Sequence, residues 1–247
     1  MKLLTIFTFV LLTSINLIAS TAQEAIESAN KSGLIVFLVI TDPGNANTQK
    51  ALDIANQAHA QYLKSEVIQM NRSDAANKDL VVKYGVSGAP LPLILVIASN
   101  GVVTGGFTSY QATADLLVNV IPSPVKADVM KALSTGKSVF LVVSRKNMTE
   151  KNEVMNTCAQ ACIEMQNNTK LIALDLDDQK EKAFIAEMKI DPALTSPQTF
   201  VINSKGQITG TFNDDVNTTT LVATAKKLPA AKGCCPSGSG AGCGTKK

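Results

Sequence analysis

The chain has no tryptophan, only three tyrosines and a single histidine, His59. It also has little charge of one sign, because 23 basic against 20 acidic residues leave a formal balance of +3. No basic stripe interleaved with aromatics occurs, which argues against nucleic acid as a partner. Five cysteines are present, Cys158, Cys162, Cys234, Cys235 and Cys243, and none lies in the first half. With one histidine and no thiol, that half lacks the ligands of a zinc site. Nowhere are two cysteines separated by two residues. The dithiol pair that a helix N-terminus activates for disulfide exchange is therefore missing.

What is present begins with an export signal. Lys2 precedes an apolar run from Leu3 to Ile18, and small residues follow at Ala19-Ser20-Thr21-Ala22. A short positive region, an apolar core and a small-x-small exit describe a secretory signal peptide over residues 1–22. Cleavage is expected after Ala22. The run is short for a membrane span, so no membrane attachment is expected once the signal is removed. The expected location is a bacterial periplasm or the medium, where disulfides persist. Asn71, Asn147, Asn167 and Asn217 head Asn-x-Ser/Thr triplets, which matter only on a eukaryotic secretory route.

The remainder is an internal repeat. Val36-Phe37-Leu38-Val39-Ile40-Thr41 recurs 103 residues later as Val139-Phe140-Leu141-Val142-Val143-Ser144. Gln57 and Ala58 answer Gln160 and Ala161 at the same shift, and Val67–Asn71 answers Leu171–Asp175 at 104. Pro92-Leu93-Ile94-Leu95-Val96-Ile97 answers Pro197-Gln198-Thr199-Phe200-Val201-Ile202 at 105. A near-constant shift over separate elements marks a duplicated unit. Each copy opens with an apolar β-branched run suited to a strand buried on both faces. Helical patterns follow at Thr48–Leu63 and Thr149–Gln166, then short strands at Val67–Met70 and Leu171–Leu174. Further helices are expected at Lys78–Tyr84 and Lys180–Met188. A proline-led strand then turns at Ser99-Asn100-Gly101 or Ser204-Lys205-Gly206, hairpin signals in which glycine supplies positive φ. The last helices are expected at Ala112–Val120 and Thr219–Lys227. The order βαβαββα gives a sheet with helices on both faces.

These residues carry a family resemblance. Tyr84-Gly85-Val86-Ser87-Gly88-Ala89, followed by Leu91-Pro92, an apolar strand and Asn100-Gly101, is similar to the approach of thioredoxins to their cis-proline strand and hairpin. The second copy has Ile190-Asp191-Pro192 and Ser196-Pro197 before the same hairpin. The resemblance implies an α/β protein of two tandem thioredoxin-like domains, each a central mixed β-sheet flanked by helices. The expected division is signal 1–22, domain one 23–124, domain two 125–229 and a tail 230–247.

The departure from that family bears on function. Thioredoxins carry their thiols in the loop after the first long strand. Here those loops read Thr41-Asp42-Pro43-Gly44-Asn45-Ala46-Asn47-Thr48 and Ser144-Arg145-Lys146-Asn147-Met148-Thr149-Glu150, without cysteine. Asn47 and Asn147 are expected as helix caps. The chain thus resembles the non-catalytic domains of protein disulfide isomerases, in which the fold serves as a binding surface. The resemblance also implies that the residue before a cis-proline offers backbone groups to an extended peptide. Leu91, Pro92, Ser196 and Pro197 are the candidate binding residues. The plainer reading is that these prolines only shape the fold.

Val154, Cys158, Ala161, Cys162 and Met165 fall on one apolar stripe of a helix. Cys158 and Cys162 read either as small core hydrophobes or as two soft ligands for a thiophilic metal. Their spacing makes a relaxed disulfide awkward. The tail Gly233-Cys234-Cys235-Pro236 to Cys243-Gly244 is too rich in Gly and Ser to build a core. Cys234, Cys235 and Cys243 are candidates for Cu(I) or another soft ion, or for thiol exchange. No cofactor is otherwise indicated. The expected function is an exported, non-catalytic protein that binds a protein or peptide and carries a cysteine arm for metal or thiol exchange. The alternative is a thiol–disulfide oxidoreductase, active in redox homeostasis, that uses the tail cysteines in place of the missing pair. Because the tail has nothing to bury, deleting Gly233–Lys247 should leave the thermal melting midpoint unchanged; a loss of several degrees would show that the tail packs.

Overall fold

The computed structural model describes residues 21–213 and 216–228. It divides into two compact units between Ile121 and Pro122. The first contains α1 (Ala22–Lys31), β1 (Ile35–Thr41), α2 (Thr48–Gln61), β2 (Ser65–Asn71), α3 (Lys78–Lys83), β3 (Leu93–Ile97), β4 (Val103–Thr108) and α4 (Ala114–Asn119). The second contains α5 (Pro124–Ser134), β5 (Ser138–Ser144), α6 (Lys151–Glu164), β6 (Thr169–Asp175), α7 (Lys182–Glu187), β7 (Gln198–Ile202), β8 (Ile208–Phe212) and α8 (Thr218–Ala225). Short 3₁₀ turns at Ala75–Asn77 and Gln179–Glu181 lead into α3 and α7.

Each unit builds one sheet, in the orders β2-β1-β3-β4 and β6-β5-β7-β8. The first long strand pairs parallel with the second and antiparallel with the third. Every residue of β1 and β5 is buried, which is why both read as unbroken apolar runs. Strand alternation sends Val36, Leu38 and Ile40 to the face covered by α1 and α3, with Ile26, Ala29 and Leu80. Helices α2 and α4 pack together over the other face. In the second unit Val139, Leu141 and Val143 join Val129 and Ala132 of α5 and Phe184 of α7. Phe140 and Val142 join Val154, Cys158 and Ala161 of α6 and Leu221 of α8. This is the arrangement of a thioredoxin-like domain, formed twice.

Helices α1 and α5 were not anticipated from the sequence. Thr21 caps α1 with a full capping box, its hydroxyl accepting from the Glu24 amide while the Glu24 carboxylate accepts from the Thr21 amide. Cleavage after Ala22 would remove that cap together with the first helical residue. Helix α5 starts with Pro124 at its first turn, where a missing N–H costs nothing. A domain boundary at 124/125 would separate that proline from the helix it opens, and the units instead divide three residues earlier. Among the described residues, no helix is long and apolar enough to cross a membrane.

The repeat extends further than the sequence comparison found. Both hairpins turn on a glycine with positive φ, Gly101 at 83° and Gly206 at 78°. Both show a register shift in the preceding strand, at Val96/Ile97 and Val201/Ile202. At each shift a threonine hydroxyl, Thr104 or Thr209, donates to the carbonyl of Val96 or Val201 at 3.3 Å. The glycine after that threonine has no room for a side chain. A Cβ on Gly105 would stand 2.9 Å from Val120 Cγ2, and one on Gly210 would stand 2.7 Å from Thr224 Cγ2. Thr224 is buried and its carbonyl is held by Thr209, so it yields poorly. Gly210→Ala should therefore cost about 1–3 kcal/mol in urea denaturation; an unchanged midpoint would show that α8 moves aside freely.

Candidate functional site

The candidate site lies beyond the C-terminal end of β1. In the first unit the chain leaves the sheet at Thr41, turns through Asp42–Asn47 and enters α2 at Thr48. Asn47 occupies the N-cap position of α2, but its side chain makes no capping bond. Its amide N–H is taken by Asn45 Oδ1 at 3.0 Å, and its side-chain amide donates to the Tyr110 hydroxyl at 2.9 Å. In the second unit Glu150 is the N-cap residue of α6, and Asn147 lies three residues outside the helix. Asn47 is thus the expected N-cap by position, without the side-chain bond, and the expected cap at Asn147 is corrected to Glu150. Asn47 is committed to a tertiary contact, and Asn147 stands too early in the loop.

Across from this loop the Leu91–Pro92 peptide bond is cis. Asn45 Nδ2 donates to the Leu91 carbonyl at 3.3 Å, so the loop and the proline segment face each other directly. The Ser109 amide donates to the Pro92 carbonyl at 3.1 Å. This places Tyr110 beside the proline, with 74% of its surface exposed. Lys50 Nζ lies 5.3 Å from the centre of the Tyr110 ring. Below the loop is a cavity of about 330 Å³, whose lining includes Thr41, Asp42, Asn45, Thr48, Gln69 and Asn71. That lining offers amides, hydroxyls and one carboxylate, and no thiol or imidazole. The Leu91 N–H donates to no partner among the described residues.

A charged clamp that the sequence reading missed fixes this geometry. Arg72, just after β2, reaches Asp42 Oδ2 at 2.6 Å and donates to the carbonyls of Ala89 at 2.7 Å and Val86 at 3.4 Å. It therefore ties the loop after β1 to the segment that leads into Pro92. The Ser73 hydroxyl also donates to Asp42, at 2.8 Å. Ser73 first, then Arg72, hold the Asp42 carboxyl below its ordinary range. The second unit makes the same clamp with the charges exchanged. Arg145 follows β5, meets Asp177 at 3.0 Å and donates to the carbonyls of Leu194 at 2.9 Å and Pro192 at 2.6 Å. The signal for this was present in sequence, as opposite charges traded between matching loops at Asp42 and Arg145.

The other candidate residues behave unequally. Pro197 is buried like Pro92, but the Ser196–Pro197 bond is not among the cis bonds. Among the described residues, no hydrogen bond links the second unit's loop to Ser196. Cys158 and Cys162 lie on α6 and are free thiols, the first buried and the second half-buried. Cys158 Sγ lies 3.9 Å from Thr199 Oγ1. Burial pushes the Cys158 thiol up to about 11, so it stays protonated near neutral pH, where the thiolate would be the reactive form and the metal ligand. Burial also raises the Cys162 thiol. Among the described residues, no group of three or more His, Cys, Asp or Glu side chains is placed to hold a metal ion. Cys234, Cys235 and Cys243 lie outside the described residues. The folded protein at pH 8 should therefore leave Cys158 unlabelled by iodoacetamide and label Cys162 slowly; mass mapping that finds Cys158 modified first would contradict the packing of α6.

No family model matches the chain, and no curated protein matches it. Solved structures are similar to it at low identity. The first two thioredoxin domains of Saccharomyces cerevisiae Eps1p share 11% identity over 85% of this chain and 97% of that one, with a TM-score of 0.31. The N-terminal domain of the alkylhydroperoxide reductase AhpF from Enterococcus faecalis shares 12% over 82% and 98%, with a TM-score of 0.28. ERdj5 shares 10% over 83% of this chain and 28% of its own, with a TM-score of 0.30. The strand order and connections of each unit carry the assignment: the chain is a tandem of two thioredoxin-like domains.

Proposed function

We propose that this is an exported, non-catalytic thioredoxin-like protein whose first unit binds an extended segment of a protein or peptide. The observation that carries the reading is the cis Leu91–Pro92 segment, set against a cysteine-free loop and an exposed Tyr110. The Leu91 N–H is left to donate to a backbone carbonyl of a bound strand, as in strand addition at a sheet edge. Tyr110 adds a rigid aromatic surface of the kind enriched in binding patches. Asn45 holds the Leu91 carbonyl, so a bound strand would be gripped mainly through that single amide and by side-chain contacts. Affinity should accordingly be modest. Among the described residues, the second unit has neither a cis bond nor a hydrogen bond from its loop to Ser196, so the peptide site is assigned to the first unit alone.

The arm 230–247 supplies the chemistry in this reading, with Cys234, Cys235 and Cys243 binding a soft ion such as Cu(I) or exchanging with a partner's disulfide. A second reading, a thiol–disulfide oxidoreductase acting through those three cysteines, draws on the burial of Cys158, which leaves the tail as the place for reactive thiols. The protein would work in a periplasm or outside the cell.

An amide-resolved NMR titration with a reduced, S-alkylated unfolded polypeptide tests the binding site. Shifts should concentrate at residues 44–48, 89–92 and 109–111 and weaken in Tyr110→Ala. Shifts spread over both units, or none at millimolar probe, would overturn the reading. A native mass spectrum of protein purified without reductant or chelator separates the two roles of the arm. Metal mass that is lost on changing the tail cysteines to serine would retire the oxidoreductase reading.

A further inference from the structure

The second unit carries a cavity of about 410 Å³, lined by Asp128, Lys131, Ala132, Thr135, Lys137 and Lys170. The three lysines come from three places: the body of α5, the turn after it, and the edge strand β6. They sum with Asp128 to a net charge of +2 from three positive and one negative group. The internal repeat provides a control on what the fold itself requires. The Lys137 amide bonds the Ala132 carbonyl just as the Leu34 amide bonds the Ala29 carbonyl, and Gly136 and Gly33 take the same positive φ. Lys170 pairs with Val139 as Glu66 pairs with Val36. The first unit therefore has Ser28, Leu34 and Glu66 where the second has Lys131, Lys137 and Lys170. Same backbone, same place: an uncharged or acidic trio in one copy and an all-lysine trio in the other.

Helix polarity explains only part of this. A cation is favoured near a helix C-terminus, which accounts for Lys131, and the first unit meets that need with Lys31 alone. The end of α5 is in any case closed by its own backbone, since Thr135 and Lys137 both donate to the Ala132 carbonyl. Neither reason reaches Lys170, which stands on the sheet edge. We propose that this cavity is a binding site for a compact phosphate-bearing anion. Lysine ammonium groups act as mobile point charges on phosphate oxygens, and the volume falls within the range of small-ligand pockets. Ala132 forms an apolar floor, and the Thr135 hydroxyl is turned to the Ala132 carbonyl, so the lysines carry the recognition.

Calorimetric titration of the full exported chain with inorganic pyrophosphate tests the site. Saturable binding is expected, weakening as ionic strength rises. It should weaken at least about tenfold in Lys170→Glu, which installs the first unit's residue on an exposed position, and vanish in Lys131→Gln/Lys137→Gln/Lys170→Gln. Melting temperatures of both variants should match the parent, because the substituted side chains bury little. Co-sedimentation with phosphatidylcholine vesicles, with and without phosphatidic acid, distinguishes the sources. Lysine-dependent capture only by the acidic vesicles would identify a lipid headgroup, and lysine-dependent binding of pyrophosphate alone a free phosphate. Absence of saturable binding in both arms, or binding unchanged in Lys170→Glu, would overturn the proposal.

Discussion

The two described units are each hung on one strand buried along its whole length. β1 and β5 are enclosed along their whole length, which demands helices on both faces and neighbours on both edges. A strand so held can leave the core only at its ends. The loop after it is therefore fixed in position before its own sequence has any say. The Asp42–Asn47 loop in one unit and the Arg145–Glu150 loop in the other both issue from that fixed point, facing the proline segment that opens the third strand. A fold of this kind keeps its site whether or not the site retains its chemistry.

Much of that frame was readable in the sequence, for one physical reason. A strand buried on both faces leaves an unbroken apolar signature, and a duplicated strand leaves it twice. The glycine turns and the prolines before β3 and β7 were readable because each meets a backbone demand that few other residues satisfy. Helices α1 and α5 escaped notice because each shows the core only a few small or mid-sized side chains, such as Ile26 and Ala29 in α1. Asn47 stands at the expected N-cap but turns its side chain to Tyr110, 63 residues along the chain, rather than to the helix. No local pattern can announce such a competitor. The Arg72 and Arg145 clamps left only the traded charges at Asp42 and Arg145 as a sign in the sequence, since each arginine reaches carbonyls that the fold alone brings near.

The two copies differ at the surfaces for which binding is proposed. The first keeps the cis peptide, the loop-to-proline bond and an exposed aromatic ring. Among the described residues, the second has no cis bond and no bond from its loop to Ser196, but has two cysteines on α6 and a lysine trio drawn from α5, the turn after it and β6. Burial leaves Cys158 a packing group in practice, sealed beneath α6 and against Thr199. Duplication let one frame host two different surfaces while the strands that define it stayed nearly unchanged.

The exchanged clamp carries a last implication, for how such a chain sorts itself while folding. Tandem copies with near-identical central strands invite misassembly, in which a segment of one docks into the frame of the other. Here that error brings like charges together. Asp42 of the first loop would meet Asp177 of the foreign frame, and Arg145 would meet Arg72. Only the correct assembly places an acid opposite a base at both positions. The two ion pairs thus have opposite polarity in the two halves, so a crossed assembly would lose both bridges.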